Sequence, residues 1–135
     1  MTMKYIIATT FLSICIALIA NCQTQASMNQ EASETYKKAD AELNKVYQQI
    51  KKEFANDPVF LDALRTSQRN WITFRDSELK LKYPNREPGW YGSVQPMCES
   101  YYLAELTNER TAKLKTWLIG IEEGDVCAGS VKTKE

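Results

Sequence analysis

The chain contains no histidine in 135 residues, and it has only five glycines and four prolines. Without imidazole it cannot build a Ser-His-Asp or Cys-His catalytic site, a zinc site based on histidine, or a histidine switch near neutral pH. It also lacks net charge, because seventeen Lys and Arg balance seventeen Asp and Glu. We therefore expect no general attraction to nucleic acid or to an anionic membrane.

Motifs for cofactor chemistry are missing as well. No P-loop, dinucleotide-binding fingerprint, EF-hand loop or HExxH motif occurs. The sequence thus predicts no cofactor, no metal site and no catalytic residue, and favours a protein that is not an enzyme. The 44% hydrophobic and 25% charged residues that are present are typical of one folded domain.

The amino terminus has the layout of a secretory signal. Lys4 is the only charge in the first thirty residues, and an apolar stretch of about 16 residues follows it, from Tyr5 to Ala20. We predict a signal peptide over residues 1–21 and an exported protein, with a retained anchor as the alternative. If Cys22 is acylated, the product is a membrane-anchored lipoprotein, and this lipid is its only expected membrane contact. Cleavage beside Ala20 or Ala26 would instead release a periplasmic or secreted form.

The cysteine count bears on the same question. Removal of the signal leaves Cys22, Cys98 and Cys127, an odd number for an oxidising compartment. If Cys22 carries lipid, Cys98 and Cys127 remain as a pair that could close a disulfide. The alternative joins Cys22 to one of them and leaves one thiol free.

The exported part begins with a long amphipathic helix. Ser27 and Gln30 form a capping-box signature, which predicts the helix start at Ser27. Apolar or small residues then recur every three or four positions: Met28, Ala32, Tyr36, Ala39, Leu43, Val46, Tyr47, Ile50 and Phe54. The opposite face is charged and is expected to be solvated: Lys37, Lys38, Glu42, Lys45 and Lys52.

A second helix is predicted to begin at Asp57, with Pro58 at its first position. Its expected inward positions are Phe60, Ala63, Leu64, Ser67, Trp71, Phe74 and Leu81. Three prolines and two glycines between Tyr83 and Pro96 end this helix.

Pro96 opens a third helix, whose apolar positions are Leu103, Leu106, Leu114, Trp117, Leu118 and Ile121. Gly120 and Gly124 indicate where it ends. Because each helix has one apolar stripe that needs a partner, the sequence predicts an all-α fold of three long antiparallel helices in a small bundle. The helical domain would span residues 22–124, followed by a mobile polar tail over residues 125–135.

Charged residues interrupt the apolar pattern at one level of this bundle. Arg110, beside Thr107, lies on a stripe that otherwise reads as buried, and a buried guanidinium needs a partner. The sequence therefore predicts a carboxylate opposite it, from Asp76 or Glu78. We interpret the group as a structural clamp between the second and third helices, with a recognition or acid–base site as the alternative. The predicted clamp comprises Trp71, Arg75, Asp76, Thr107 and Arg110.

Five stretches of the chain carry a family resemblance: TQASMN (24–29), YKKADAELNKVYQQI (36–50), SQRNWITFRDSE (67–78), GSVQPM (92–97) and LAELTNERTAKL (103–114). In this order, WxxFRDxE followed by GSxxPM and LTxxRT resembles the LprI-type lysozyme-inhibitor domain. The resemblance implies a helical, exported, non-enzymatic protein of the bacterial envelope whose protein partner is a lysozyme. The competing hypothesis is a structural or stress-related envelope module with another partner.

The cysteines depart from the family pattern. Family members carry cysteine where this chain has Glu31, Leu79 and Tyr102. The resemblance therefore implies that the usual disulfides cannot form here, that apolar packing replaces the pair at Leu79 and Tyr102, and that Cys98 and Cys127 provide a substitute disulfide.

The loop before the third helix offers candidate partner-binding residues. A lysozyme inhibitor must fill a groove lined by carboxylates, and an exposed loop with aromatic, hydroxyl and basic groups suits that task. The candidates are Arg86, Trp90, Tyr91, Gly92 and Ser93. In the alternative interpretation, Trp90 folds back and caps the open end of the bundle.

Overall fold

Three helices account for most of the structure, a computed structural model that describes the backbone of residues 2–134 and the side chains of residues 24–134. They are α1 (Thr2–Glu53), α2 (Pro58–Lys82) and α3 (Gln95–Ile119). The described residues contain no strand, only one isolated bridge between Ile121 and Thr133. The predicted all-α fold is confirmed. The predicted signal segment (1–21) and the lipidation candidate Cys22 lie outside the described side chains.

The start of α1 differs from the prediction. The helix begins at Thr2 and continues through Ser27, which is exposed and caps nothing. A side-chain hydrogen bond from Gln25 Nε2 to Asn29 Oδ1 (2.8 Å) spans the expected boundary at helical spacing. The chain from Tyr5 to Ala26 contains neither proline nor glycine. The capping-box prediction was wrong because nothing before Ser27 interrupts the helix.

The core lies along the predicted apolar stripe of α1. Its buried apolar members are Ala32, Ala39, Leu43, Val46 and Ile50, which are joined by Leu64 from α2 and by Ala104 and Leu114 from α3. The most extensive helix interface is between α1 and α3. Asn29 donates to the carbonyl of Ser93 near the start of α3, and Glu42 pairs with Lys115 near its end. α1 and α3 therefore run in the same direction, with α2 antiparallel to both.

The turn from α1 into α2 forms as predicted. Asp57 is the N-cap, since its carboxylate accepts a hydrogen bond from the amide of Phe60 (2.9 Å), and Pro58 follows at the first helical position. The rings of Phe54 and Phe60 stack with centroids 4.1 Å apart. This contact fixes the angle at which α2 leaves α1.

The second half of α2 presents a different face from the predicted one. Phe74 and Leu81, expected to point inward, are 52% and 74% exposed. The inward positions near them are held by Arg75 and Glu78, which contact aromatic side chains of the other helices. The prediction was wrong here because it assigned the inward face by hydropathy, whereas polar side chains with partners occupy it.

The buried face of α3 is made largely of small side chains. Ala104, Thr107 and Thr111 are buried together with Leu114. The larger Leu103 and Leu106, which the sequence favoured, are only half-buried. Small residues allow α3 to approach α1 closely, which explains the extent of that interface.

α3 ends at Gly120, as its glycine indicated, and Ile121 lies beyond the helix. Gly120 has φ of +80° and its amide donates to the carbonyl of Thr116. The segment after it is held against the helices. The Ile121 amide donates to the Lys132 carbonyl (2.9 Å), and Lys132 also pairs with Glu53 of α1 (3.1 Å). The tail, which the sequence predicts to be mobile, thus makes contacts with the end of α3 and with α1.

The predicted disulfide between Cys98 and Cys127 does not form, and both thiols are free. Cys98 lies in the first turn of α3, whereas Cys127 lies beyond its end. About 30 Å of α3, at 1.5 Å per residue, lies between Cys98 and the helix end that Cys127 follows. A disulfide needs Cα atoms within about 7 Å of each other, so the pairing was wrong for this fold.

Candidate functional site

The loop between α2 and α3 (83–94) contains all five candidate partner-binding residues. Gly89 and Gly92 have φ of +85° and +72°, the left-handed region that favours glycine. Each turn is closed by a backbone hydrogen bond, from the Trp90 amide to the Glu87 carbonyl (3.1 Å) and from the Gly92 amide to the Gly89 carbonyl (3.0 Å). These two turns set the path of the loop and place Trp90 between them.

Tyr91 anchors this loop. Its hydroxyl donates to the carbonyl of Pro84 (3.0 Å), and its ring meets that of Tyr83 edge to face at 5.6 Å. Burial raises the pKa of Tyr83, and the neighbouring Cys98 thiol raises it further. Tyr91 thus connects the start of the loop to its end, and this explains why it is only half-exposed.

Trp90, in contrast, is 66% exposed. The Arg86 guanidinium carbon lies 5.6 Å from its ring centroid, within the range of a cation–π contact. The indole therefore does not fold back to cap the bundle. Its position leaves an aromatic surface and a cation next to each other on the outside of the molecule.

The same loop forms one wall of an open cleft of about 740 Å³. Charges of both signs line it: the cations are Lys80 and Arg86, and the carboxylates are Glu87 and Glu99. Gly92 and Ser93 are exposed, and Asn29 of α1 donates to the Ser93 carbonyl (3.3 Å). The loop is thereby connected to α1 as well as to the two helices that it joins.

Three members of the predicted clamp lie together: Arg75 and Arg110 both contact the ring of Trp71. The Arg75 guanidinium carbon lies 5.4 Å from the Trp71 ring centroid, and that of Arg110 lies 6.0 Å from it. Arg75 also lies 6.0 Å from the ring of Tyr36 on α1. The cluster touches all three helices, and the Arg75 side chain is only 14% exposed.

The expected carboxylate is not opposite Arg110. Arg110 Nε donates to Gln68 Oε1 (3.1 Å) and its Nη2 to Ser67 Oγ (2.9 Å). Asp76 pairs instead with its neighbour Arg75 (2.8 Å), on a half-exposed surface. The prediction of an ion pair was wrong because Arg110 is only partly buried, and two neutral acceptors satisfy two of its donors without a second charge.

Glu78, the other expected partner, accepts a hydrogen bond from the Tyr102 hydroxyl (3.3 Å). The Tyr102 ring lies under Lys82, with Nζ 3.7 Å from its centroid. Burial, and then the nearby Glu78 carboxylate, raise the pKa of Tyr102. Tyr102 thus contacts Glu78 and Lys82, which lie before and after Leu79 in α2. Leu79 and Tyr102 are the two positions at which the family resemblance implied that a cysteine pair is replaced.

Thr107 is the most unusual member of the clamp. It is fully buried, and its hydroxyl has no hydrogen-bond partner. The carbonyl of the same residue accepts from the Thr111 hydroxyl (2.8 Å). The helical spacing of Ala104, Thr107, Thr111 and Leu114 is the sequence signal that could have predicted the burial of Thr107. A search for apolar side chains alone misses it, because threonine is polar.

The described side chains offer no cluster of metal ligands. None of their groups of Cys, Asp or Glu is arranged to hold a metal. Within the same part of the chain, no helix is both long enough and apolar enough to span a bilayer.

The comparisons with known proteins point to one family. Residues 15–114 match the family model described as Lysozyme inhibitor LprI. An uncharacterized protein of Rhizobium meliloti (strain 1021) is 40% identical over 103 residues, which cover 68% of this chain and 72% of the relative. No solved structure matches the chain.

Proposed function

Because this chain belongs to the LprI family of lysozyme inhibitors, we propose that it inhibits a lysozyme by binding it through the 83–94 loop. Proteins of this family are exported bacterial proteins, and the family is one of inhibitors and not of enzymes. The observation that carries the proposal is the exposed Trp90 beside Arg86 on this loop.

The chemistry of the loop suits a glycosidase groove. Lysozymes cleave glycosidic bonds with a pair of carboxyl groups. Among the described side chains, Arg86 has no carboxylate within 4 Å, so its charge is available to a partner. Tryptophan and arginine are also the side chains that contribute most often to the binding energy of protein interfaces.

The loop is also built to bind without large rearrangement. Two turn hydrogen bonds, the Tyr91 anchor and the Asn29 contact hold it in one shape. A loop that is ordered before binding loses less conformational entropy in the complex. This favours inhibition by a preformed surface.

The position in the envelope is part of the same proposal. The apolar stretch after Lys4 supports export by a signal peptide, and Cys22 supports a lipid anchor that would keep the inhibitor at the membrane. A periplasmic or secreted form would arise if cleavage occurs beside Ala20 or Ala26. The mass of the exported protein distinguishes these products.

A structural or stress-related envelope module is the second candidate. The observation that favours it is the outer face of α2, where the apolar side chains of Phe74 and Leu81 are 52% and 74% exposed. Contacts with another envelope protein could cover this face. Such a module would have no effect on lysozyme.

The inhibitor hypothesis is tested by titrating the purified protein into C-type, G-type and bacteriophage lysozymes and measuring cell-wall cleavage. We expect loss of activity of at least one lysozyme at close to equimolar protein. Trp90→Ala should weaken the inhibition by about thirtyfold or more, because such central aromatic residues typically contribute about 2 kcal/mol or more.

Phe74→Ala is the matched control, since it removes an exposed aromatic ring from another face. It should inhibit as the native protein does, and both variants should keep the native melting temperature. Full turnover of all three lysozymes at several-fold molar excess of the protein would reject inhibition. Equal inhibition by the native protein and Trp90→Ala would reject the loop as the site.

A further inference from the structure

A small apolar cleft lies between α2 and α3, away from the 83–94 loop. Its volume is about 170 Å³, and its apolar walls include Phe60 and Leu64 of α2 and Leu114 and Trp117 of α3. Phe60 and Leu64 lie in the first two turns of α2, whereas the loop follows the last turn. The two surfaces are therefore at opposite ends of the bundle.

Side chains that can donate hydrogen bonds also line this cleft. Arg110, Ser67 and Ser130 all line it. Ser67 and Ser130 accept hydrogen bonds from Arg110 Nη2 and Trp117 Nε1, at 2.9 and 3.0 Å, so their own hydroxyl protons remain available to a ligand. Arg110 has five N–H donors, of which the two described hydrogen bonds use two.

The charge of Arg110 is not balanced. Among the side chains of residues 24–134, no carboxylate lies within 4 Å of it, and the cleft contains no acidic residue. Burial without a counterion lowers the pKa of Arg110. A cation at the edge of an apolar cavity favours a ligand that brings one negative charge together with an apolar body.

We propose that this cleft binds a small monocarboxylate of about the size of benzoate. Its carboxylate would meet Arg110, Ser67 and Ser130, and its apolar body would lie between Phe60, Leu64, Leu114 and Trp117. The size follows from the volume, since an apolar cavity of about 150 Å³ accommodates one benzene ring. A guanidinium recognises a carboxylate through two parallel hydrogen bonds.

Ser130 belongs to the segment after α3, so a bound carboxylate would also contact this segment. The Trp117 indole N–H already donates to Ser130 Oγ. The indole proton resonance of Trp117 is thus a direct reporter, because a ligand that engages the Ser130 hydroxyl changes the environment of that hydrogen bond.

The test is an NMR titration of the full chain with benzoate, observed at the Trp117 indole N–H. Benzamide, which has the same shape without the charge, is the control ligand. We expect a saturable shift with benzoate and an affinity for benzamide lower by about tenfold, because hydrogen bonds to a charged group are the stronger ones.

Three variants locate the site. Arg110→Gln should weaken benzoate binding about tenfold and abolish the preference over benzamide. Arg69→Gln changes an exposed arginine of α2 that does not line the cleft, and it should leave both unchanged. Ala63→Leu places a larger side chain at the lining of the cleft and should abolish binding, and because Ala63 is exposed, the fold should tolerate it.

No saturable shift of the Trp117 resonance by benzoate overturns the proposal. Equal affinity for benzoate and benzamide overturns the role of the charge, and so does native binding by Arg110→Gln. If Arg110→Gln does not fold, the preference of the native protein for benzoate and the effect of Ala63→Leu decide. None of these measurements involves lysozyme, so they stand apart from the inhibition assay.

Discussion

The hydroxyl of Thr107 is buried against the helices without a partner, and this is a cost that the fold carries. Burying an unpaired hydroxyl typically costs about 1–3 kcal/mol in proteins. Thr107→Val keeps the shape of the side chain and removes the polar atom. We expect the free energy of unfolding to stay the same or to rise by about 1 kcal/mol, as measured by urea denaturation.

Thr111→Val is the control for this change. The Thr111 hydroxyl donates to the Thr107 carbonyl, so its removal should lower stability by about 0.5–1 kcal/mol. If Thr107→Val destabilises the protein as much as this control or more, the Thr107 hydroxyl has a partner that the account lacks.

Arg110 carries a second prediction at the level of single residues. Its partners are the neutral groups of Ser67 and Gln68 and the ring of Trp71. Breaking a buried ion pair costs about 3–5 kcal/mol. Because no charge is left unpaired here, Arg110→Ala should lower the free energy of unfolding by only about 1–2 kcal/mol.

Arg69→Ala, on the solvent side of α2, should change the same quantity by less than about 0.5 kcal/mol. Thermal and urea unfolding of both variants measure the difference. A decrease of about 4 kcal/mol in the free energy of unfolding for Arg110→Ala would mean that Arg110 has an acidic partner. A decrease equal to that of Arg69→Ala would mean that the Arg110 side chain is solvated and makes no stabilising contact.

At the level of elements, the end of α3 is controlled by one glycine. A Cβ at position 120 would lie 2.8 Å from the Lys132 carbonyl oxygen, in addition to the strain of φ at +80°. Gly124 has φ of +92° but no atom within 4 Å of an added Cβ. Gly120→Ala should therefore lower the free energy of unfolding by the roughly 1–2 kcal/mol that a left-handed backbone costs a residue with a Cβ, and further by the cost of moving the backbone at Lys132. Gly124→Ala should lower it by the backbone cost alone.

The displaced segment should also release Ser130 from the Trp117 indole, which tryptophan fluorescence would detect. Equal losses of stability for the two glycine variants would show that the contact between residues 120 and 132 does not hold the segment in place.

The elements themselves show what the sequence can predict. The cap at Asp57, the turn around Pro58 and the end of α3 at Gly120 were all found, because local chemistry determines them. The sequence did not predict which face of α2 points inward after Trp71. There, Arg75 and Glu78 occupy the inward face through contacts with Tyr36 and Tyr102, which lie far away in sequence.

The start of α1 and the partners of Arg110 were missed for a related reason. The capping signature at Ser27 favours a helix start there, but the residues before it also favour a helix. The helix therefore continues through Ser27. The neutral partners of Arg110 could not be anticipated, because Ser67 and Gln68 are suitable acceptors only at the spacing that α2 and α3 adopt.

At the level of the whole molecule, α1 and α3 form a parallel pair and α2 runs back along them. One end of the bundle carries the ordered loop with Trp90 and Arg86, and the other carries the segment after α3. The loop was identified from sequence by its residue types. Its internal anchors were not, since the Tyr91–Pro84 bond and the two turns depend on the closed shape of the loop.

Binding of a lysozyme through the 83–94 loop can be mapped by hydrogen–deuterium exchange of the complex. Exposed backbone amides exchange rapidly in the free protein, so their slowing in the complex maps the contact. With saturating lysozyme that the protein inhibits, we predict slower exchange over residues 84–93 and unchanged exchange on the outer face of α2 around Phe74 and Leu81. Unchanged exchange of the loop, or slowing confined to the α2 face, would show that the lysozyme is not bound through the loop.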